Sequence, residues 1–433
     1  MNGAVLSLII FGCCVVLFIW NKLPISVTAL LGLLAMVLFG VVDFKTGFKT
    51  FGCSTVVLIC AMMVVGKAAF QVGLAQRVGE KVIGLAHGNE RLIVIISTAL
   101  TACVSAFLSD IATLAIMISI ITGVCAGNKS IHFMNVILPC AMASMIGGSV
   151  TLVGSTTQLT AHGILEEYLG AGSGFGFSTF AVPAGIIVVL LVLYVGLIGY
   201  PLGKKIWGNR PEYDETPADA GEQAPAADRK KMRIMAVIFV CTIVLFVLND
   251  VIAKVIPGFN IAIVSLLSAL ACVLTGCIGH KAAVSSINWT LAIWFCSCLG
   301  IAAGLIQSGG GELLANGFIG LFGGNLSPLG MYVVFIVLVT VLTQFLSNST
   351  VLAITLPVVF SLTAQLGYDT YSFAVGLTIA GAMAIATPLA NTTIGMSMVA
   401  GYRFSDYVKY AGPMTLIAML VLILLVPVIW PLS

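Results

Sequence analysis

The chain has 433 residues, 60% of them hydrophobic and 8% charged, with a formal net charge of +3. Soluble domains carry roughly 25% charged residues, so this composition excludes one and identifies an integral membrane protein. The small net charge gives no ground for a nucleic-acid partner, and none is expected. Apolar runs at 4–20, 24–42, 51–74, 179–203, 232–256, 260–279, 288–306 and 413–430 are read as spans. Each holds about 20 residues, enough for a helix to cross roughly 30 Å of hydrocarbon. Short alternating segments of the kind that build a transmembrane barrel are absent. The first run has no basic start and no small-x-small cleavage site, so it is expected to be a true span rather than a removed leader. The twelve cysteines lie mostly inside apolar runs, with no Cys/His spacing suited to zinc, and are expected to be small buried hydrophobes.

Residues 204–233, KKIWGNRPEYDETPADAGEQAPAADRKKMR, form the one long polar segment and read as a cytoplasmic linker between a first half, 1–203, and a second half, 234–433. With the linker inside, counting crossings both ways places 15 of the 19 basic residues on that side, as the positive-inside rule requires. The count works only if 92–127 and 329–366 enter the membrane and return to the same side, so each is read as a re-entrant hairpin. Each has a polar break, FLSDIAT at 107–113 and FLSNSTV at 345–351, and the two superpose at an offset of 238, Asp110 on Asn348. The same offset lays SMIGGSVT (144–151) on AMAIATPL (382–389), and KAAFQVG (67–73) echoes AGLIQSG (303–309) at 236. The expected architecture is all-α: two inverted repeats, each a hairpin followed by a broken helix, 136–160 in the first and 373–398 in the second. Interrupted helices in inverted repeats are the pattern of secondary transporters.

The four broken elements offer Ser, Thr and Asn oxygens and freed backbone, which persists at membrane depth only where it is buried or lines a polar cavity. These are suitable ligands for Na⁺. No Lys or Arg falls between Arg91 and Lys129, Lys129 and Lys204, or Lys281 and Arg403. An anionic substrate would then be neutralised by helix N-termini and co-bound cations. Lys67 is the possible exception, although burial against another helix or reach to an interface accounts for it equally simply. GxxxxGK[ST], nucleophile-elbow and HExxH patterns are missing, so neither an ATP-driven pump nor an enzyme is expected. An intramembrane hydrolase using Asp110 would find Asn348, not a second carboxylate, in the other half.

FLSDIAT and FLSNST, GGSVTLVGST and ATPLANTT, and the tail GYRFSDYVKYAGPMTLI resemble the divalent anion:sodium symporter family of di- and tricarboxylate and sulfate carriers, within the wider ion transporter superfamily. The resemblance implies a homodimer in the cell membrane, each protomer a scaffold plus a mobile domain that works as an elevator. It implies Na⁺ ligands at Ser105, Ser109, Asp110 and Gly148 in the first half and at Thr343, Ser347, Asn348 and Ala386 in the second. It implies substrate contacts at Asp110, Ile111, Ser149, Ser155, Thr156, Asn348, Ser349, Thr387, Pro388, Asn391 and Thr392. The family's tip is Ser-Asn-Thr. The second tip, Ser347-Asn348-Ser349, keeps a hydroxyl, whereas the first is Ser109-Asp110-Ile111, and Ser149-Val150 stands where the family has Thr-Pro.

A carboxylate at the bilayer centre costs about 2.5–3.5 kcal/mol on insertion scales, so Asp110 has to be neutralised. Three roles fit: a Na⁺ ligand, a protonatable group coupling H⁺, or an acceptor for backbone amides at the tip. The sequence therefore points to a cation-coupled carrier of a small organic anion, a dicarboxylate such as succinate or malate by default. An electroneutral exchanger, an H⁺-coupled carrier of a less charged carboxylate, and a Na⁺/H⁺ antiporter or oxyanion extruder stay open.

Overall fold

In hydrocarbon every backbone N–H and C=O needs a partner within its own segment or its neighbours, and helices supply one. The computed structural model describes residues 3–20, 22–84, 86, 88–128, 130–170, 172–208, 229–256, 258–321 and 327–433, and it is all-helical, with no strand among the described residues. Among the described residues, five helices are long and apolar enough to cross a membrane: Phe44–Gln71, Ala181–Trp207, Trp289–Gln307, Asn348–Leu366 and Phe404–Ile429. Gly3–Phe18, Ile25–Leu38 and Ile261–Leu274 are shorter apolar helices. The chain is a multi-pass membrane protein, and side chains as exposed as Leu38 (81%) and Leu274 (84%) are ones that lipid covers.

The segment expected to form the first hairpin consists of helices Glu90–Ser105 and Asp110–Gly127, joined by residues 106–109. The second consists of Pro328–Leu342 and Asn348–Leu366, joined by 343–347. The caps match: Ser109 Oγ accepts from Ala112 N and Ser347 Oγ from Thr350 N, both at 3.4 Å. The first broken element is Phe133–Gly148 and Thr156–Leu169, running past the expected end at 160. The second is Thr370–Gly381 and the short Thr392–Met396. The echoed KAAFQVG and AGLIQSG both end a helix at a glycine in the left-handed region, Gly73 with φ 72° and Gly309 with φ 73°. Of the expected linker, Lys204 and Lys205 still belong to one helix and Arg229–Arg233 already to the next, while 209–228, like Lys129, lie outside the described residues.

Two cores form. In the larger, Glu90–Ser105 lies against Phe133–Gly148 so closely that a Cβ on Gly147 would stand 2.4 Å from Ala102 O. Only glycine permits that approach, as is common between membrane helices. In the smaller, Ala61, Val65 and Ala68 of helix Ser54–Gln71 pack with Met235 and Cys272.

The base of the first hairpin is tied by polar contacts. Glu90 accepts from His132 N and Asn135 Nδ2 at 2.9 Å each and from the Tyr200 hydroxyl at 2.6 Å, and Lys204 Nζ lies 3.3 Å away. Beside it a π-turn over Val195–Gly199 leaves Gly196 O for Arg91, whose Nε and Nη2 donate to it at 3.0 and 2.8 Å. Burial works to raise the Glu90 pKa, but the Tyr200, Asn135, His132 and Lys204 donors outweigh it and hold the carboxyl below its ordinary value. Folding thus lowers this pKa, so the contribution is complete above the unfolded value near about pH 4.3 and is lost as pH falls through the folded one. Glu90→Gln is expected to cost about 1–3 kcal/mol at neutral pH and to remove that acid-dependent loss, as read from thermal unfolding in detergent.

Candidate functional site

The two tips and the two interruptions border one cavity of about 1100 Å³. From the first half it is lined by Ser109, Asp110, Ile111, Ser155 and Thr156, and from the second by Ser347, Asn348, Ser349, Asn391 and Thr392. Ser105, Gly148, Ser149, Thr343, Ala386, Thr387 and Pro388 sit behind these residues, outside the lining. Ile111 is 49% exposed, an apolar face where the second tip has Ser349.

The tips repeat one hydrogen-bond arrangement. Ser105 Oγ lies 2.9 Å from Asp110 Oδ1 and 2.7 Å from Ser144 O. Thr343 Oγ1 lies 3.0 Å from Asn348 Oδ1 and 2.8 Å from Gly381 O. In each case a single hydroxyl proton is shared by two acceptors; Ser155 adds a second hydroxyl at Asp110, and what stays unmatched at the first tip is the carboxylate charge. The Ser144 hydroxyl does not fill the gap, since it donates to Asp110 O at 2.7 Å. At the first tip a metal cation, or a proton on Asp110, meets the need. At the second, the amide can be turned over so that Nδ2 donates to Thr343. As placed, Asn348 Nδ2 is buried with no partner among the described residues. Either orientation leaves one amide atom for a ligand, nitrogen for an anion or oxygen for a cation. The tip is capped by Ser109 rather than by the Asp110 carboxylate, which removes the need for Asp110 as the helix cap.

Behind Asp110 the backbone forms an oxygen-lined cradle. A Cβ on Gly148 would lie 2.1 Å from Asp110 Oδ1. A Cβ on Gly154 would lie 2.5 Å from Gly148 O and 2.8 Å from both Ala106 O and Ser105 O. Converging carbonyls with a carboxylate at hand are a donor set for a hard cation, which takes oxygens at about 2.3–2.6 Å when it is the size of Ca²⁺, close to that of Na⁺. By donor chemistry, oxygens throughout, these residues suit a Na⁺ ion. Neither glycine has a left-handed backbone, so the requirement is for space.

The two interruptions are held differently. Gln344 donates through Nε2 to Met383 O at 2.8 Å and accepts through Oε1 from Ala386 N at 3.0 Å, fixing the extended stretch 383–386. Its counterpart Ala106 has no such group, and the first helix winds one turn further, to Gly148, before it breaks. Thr151 Oγ1 donates to Ala106 O as Thr387 Oγ1 donates to Gln344 O. Ser155 accepts from Thr157 N as Asn391 accepts from Thr393 N. The offset thus falls from 238 in the hairpins to 236 after the interruptions. Thr387 corresponds to Thr151, not to Ser149, whose hydroxyl is spent on Ile146 O at 2.6 Å. Gln344, Thr151 and Gly154 were not singled out by sequence; the threonine paired at 236 was the available signal. Gln344→Ala strands a buried N–H and a carbonyl, so about 1–3 kcal/mol of stability is expected to be lost in detergent unfolding, with Gln344→Glu intermediate.

Comparison with known proteins agrees with this architecture. The sequence profile described as citrate transporter matches residues 15–324 and 252–431. An uncharacterized transporter of Haemophilus influenzae is 26% identical over 94% of this chain and 88% of its own length. The sodium-dependent high-affinity dicarboxylate transporter 3 of Caenorhabditis elegans is 23% identical over 93% of this chain and 79% of its own. Among solved structures, the YdaH transporter of Alcanivorax borkumensis superposes with a TM-score of 0.62, covering 99% of this chain and 98% of that one at 16% identity, a likeness of fold. With a profile matching nearly its full length, the chain belongs to the citrate transporter family.

Proposed function

We propose that the protein is a cation-coupled secondary transporter of small organic anions, with Na⁺ as the coupling ion and a dicarboxylate-like substrate. The observation that carries this is the matched pair of tips, Ser105–Asp110 and Thr343–Asn348, which repeat one hydrogen-bond arrangement and border one cavity. The cradle behind Asp110 offers oxygen ligands to Na⁺, and Asn348 Nδ2 offers a donor to a carboxylate. The C. elegans relative's name supports sodium and dicarboxylate together. The repeated bonding favours an ancient duplication, with the repeats inverted across the membrane and the hairpins moving past a scaffold as an elevator within a homodimer. The narrower divalent anion:sodium symporter assignment rests on the FLSNS tip and Thr387-Pro388. The basic residues around the linker 204–233 support a cytoplasmic position for it.

A second reading has H⁺ in place of Na⁺ at the first tip. It is favoured by the carboxyl of Asp110, which can donate where the amide of Asn348 cannot lose its proton. Uptake of labelled mono-, di- and tricarboxylates into proteoliposomes under separate Na⁺ and pH gradients decides between them. Na⁺-driven net accumulation in vesicles free of internal anion supports symport, whereas uptake that requires internal anion means exchange.

A further inference from the structure

One wall of the cavity is a face of helix Ser54–Gln71, on which Met63, Gly66, Lys67 and Phe70 follow one another at helical spacing. Among the described residues lining the cavity only two are charged, Asp110 from the hairpin and Lys67 from this wall. We infer that Lys67 is a substrate-binding residue which supplies to the cavity the positive charge that offsets Asp110, and so sets the charge of the anion the cavity accepts. The inference rests on the reading of the cavity as an organic-anion site.

The two halves of the chain support it. KAAFQVG and AGLIQSG end equivalent helices at the glycines Gly73 and Gly309, which places Ala303 at the position of Lys67. The half with Asp110 at its tip has the lysine, and the half with Asn348 has a buried alanine, 2% exposed. A charge gained at one tip is thus matched by an opposite charge gained on the helix leading to it. Lys67 is partly exposed, with Nζ 5.4 Å from the centroid of the Phe70 ring. Helix Ser54–Gln71 packs in both cores, through Leu58 and Ile59 in the larger and Ala61, Val65 and Ala68 in the smaller, and Leu108 beside Asp110 joins the smaller.

The test is binding of lactate, succinate and citrate to the purified full chain by isothermal titration, at saturating Na⁺ and constant ionic strength. Lys67→Gln is expected to weaken succinate about tenfold and lactate only about threefold, since loss of one positive charge scales with ligand charge. Lys67→Arg should stay within about threefold of the wild type for both. Lys67→Gln combined with Asp110→Asn should recover much of the succinate affinity, a coupling that a purely structural lysine would not show. Should the glutamine variant fail to fold, Lys67→Met, which keeps the stem, takes its place. Equal losses for all three anions, or none, overturn the role of Lys67 alone. A wild-type protein that binds none of them overturns the anion-site reading and this inference with it.

Discussion

Asp110→Asn is expected to raise the Na⁺ concentration for half-maximal uptake by about 10- to 150-fold, the worth of a ligand interaction with a charged group at roughly 1.5–3 kcal/mol. The substitution leaves shape almost unchanged: the amide oxygen can still face Ser105 Oγ, which stands 2.9 Å from Asp110 Oδ1. What it removes is one negative charge beside the carbonyls of Ser105, Ala106 and Gly148. The first tip would then resemble the second, where Thr343 already pairs with an amide. If the partner of Asp110 is a proton instead, the same variant leaves the Na⁺ dependence intact and flattens the dependence of uptake on pH. Unchanged transport, Na⁺ dependence and pH dependence together would leave Asp110 with no role in coupling.

Gly154→Ala is expected to abolish uptake, to less than about one hundredth of the wild-type rate, in a protein that still folds. The added methyl would meet three backbone carbonyl oxygens at 2.5–2.8 Å, and backbone held by two interlocked broken elements cannot turn aside as a side chain can. Overpacking of this kind costs about 1–3 kcal/mol, which a chain of this size tolerates, but the methyl occupies the space where the carbonyls converge. Gly185→Ala in helix Ala181–Tyr194 is the control, because an added Cβ there meets nothing within 4 Å, and its uptake should match the wild type. Rates from proteoliposomes, normalised to folded protein by size-exclusion chromatography, check both.

Much of this arrangement was legible in the sequence because membranes impose strong rules. Apolar length marked the spans, and a lone carboxylate in 92–127 marked the first break. The superposition of FLSDIAT on FLSNSTV carried Ser105 onto Thr343 and Asp110 onto Asn348, and the hydrogen bonds follow that pairing. The register failed inside the interruptions. Unwound backbone has no period to hold an alignment, so a slip of two residues moved the partner of Thr387 from Thr151 to Ser149. The cause, the carboxamide of Gln344 against the bare methyl of Ala106, lies in a different hairpin and leaves no mark on the interrupted stretch itself. Lys67 was visible as a charge, but helix Ser54–Gln71 is apolar on nearly every side, so its sequence does not say which face meets a cavity.

The most direct test of the account is the number of Na⁺ ions moved with each succinate, measured from the reversal potential of uptake in proteoliposomes for the wild type and for Asp110→Asn. The expected result is Na⁺-driven accumulation without internal anion in the wild type, and one fewer Na⁺ per succinate in the variant at Na⁺ concentrations too low to fill its weakened site. Succinate movement that ignores Na⁺ and proceeds only against internal anion, unaltered by Asp110→Asn, would contradict it.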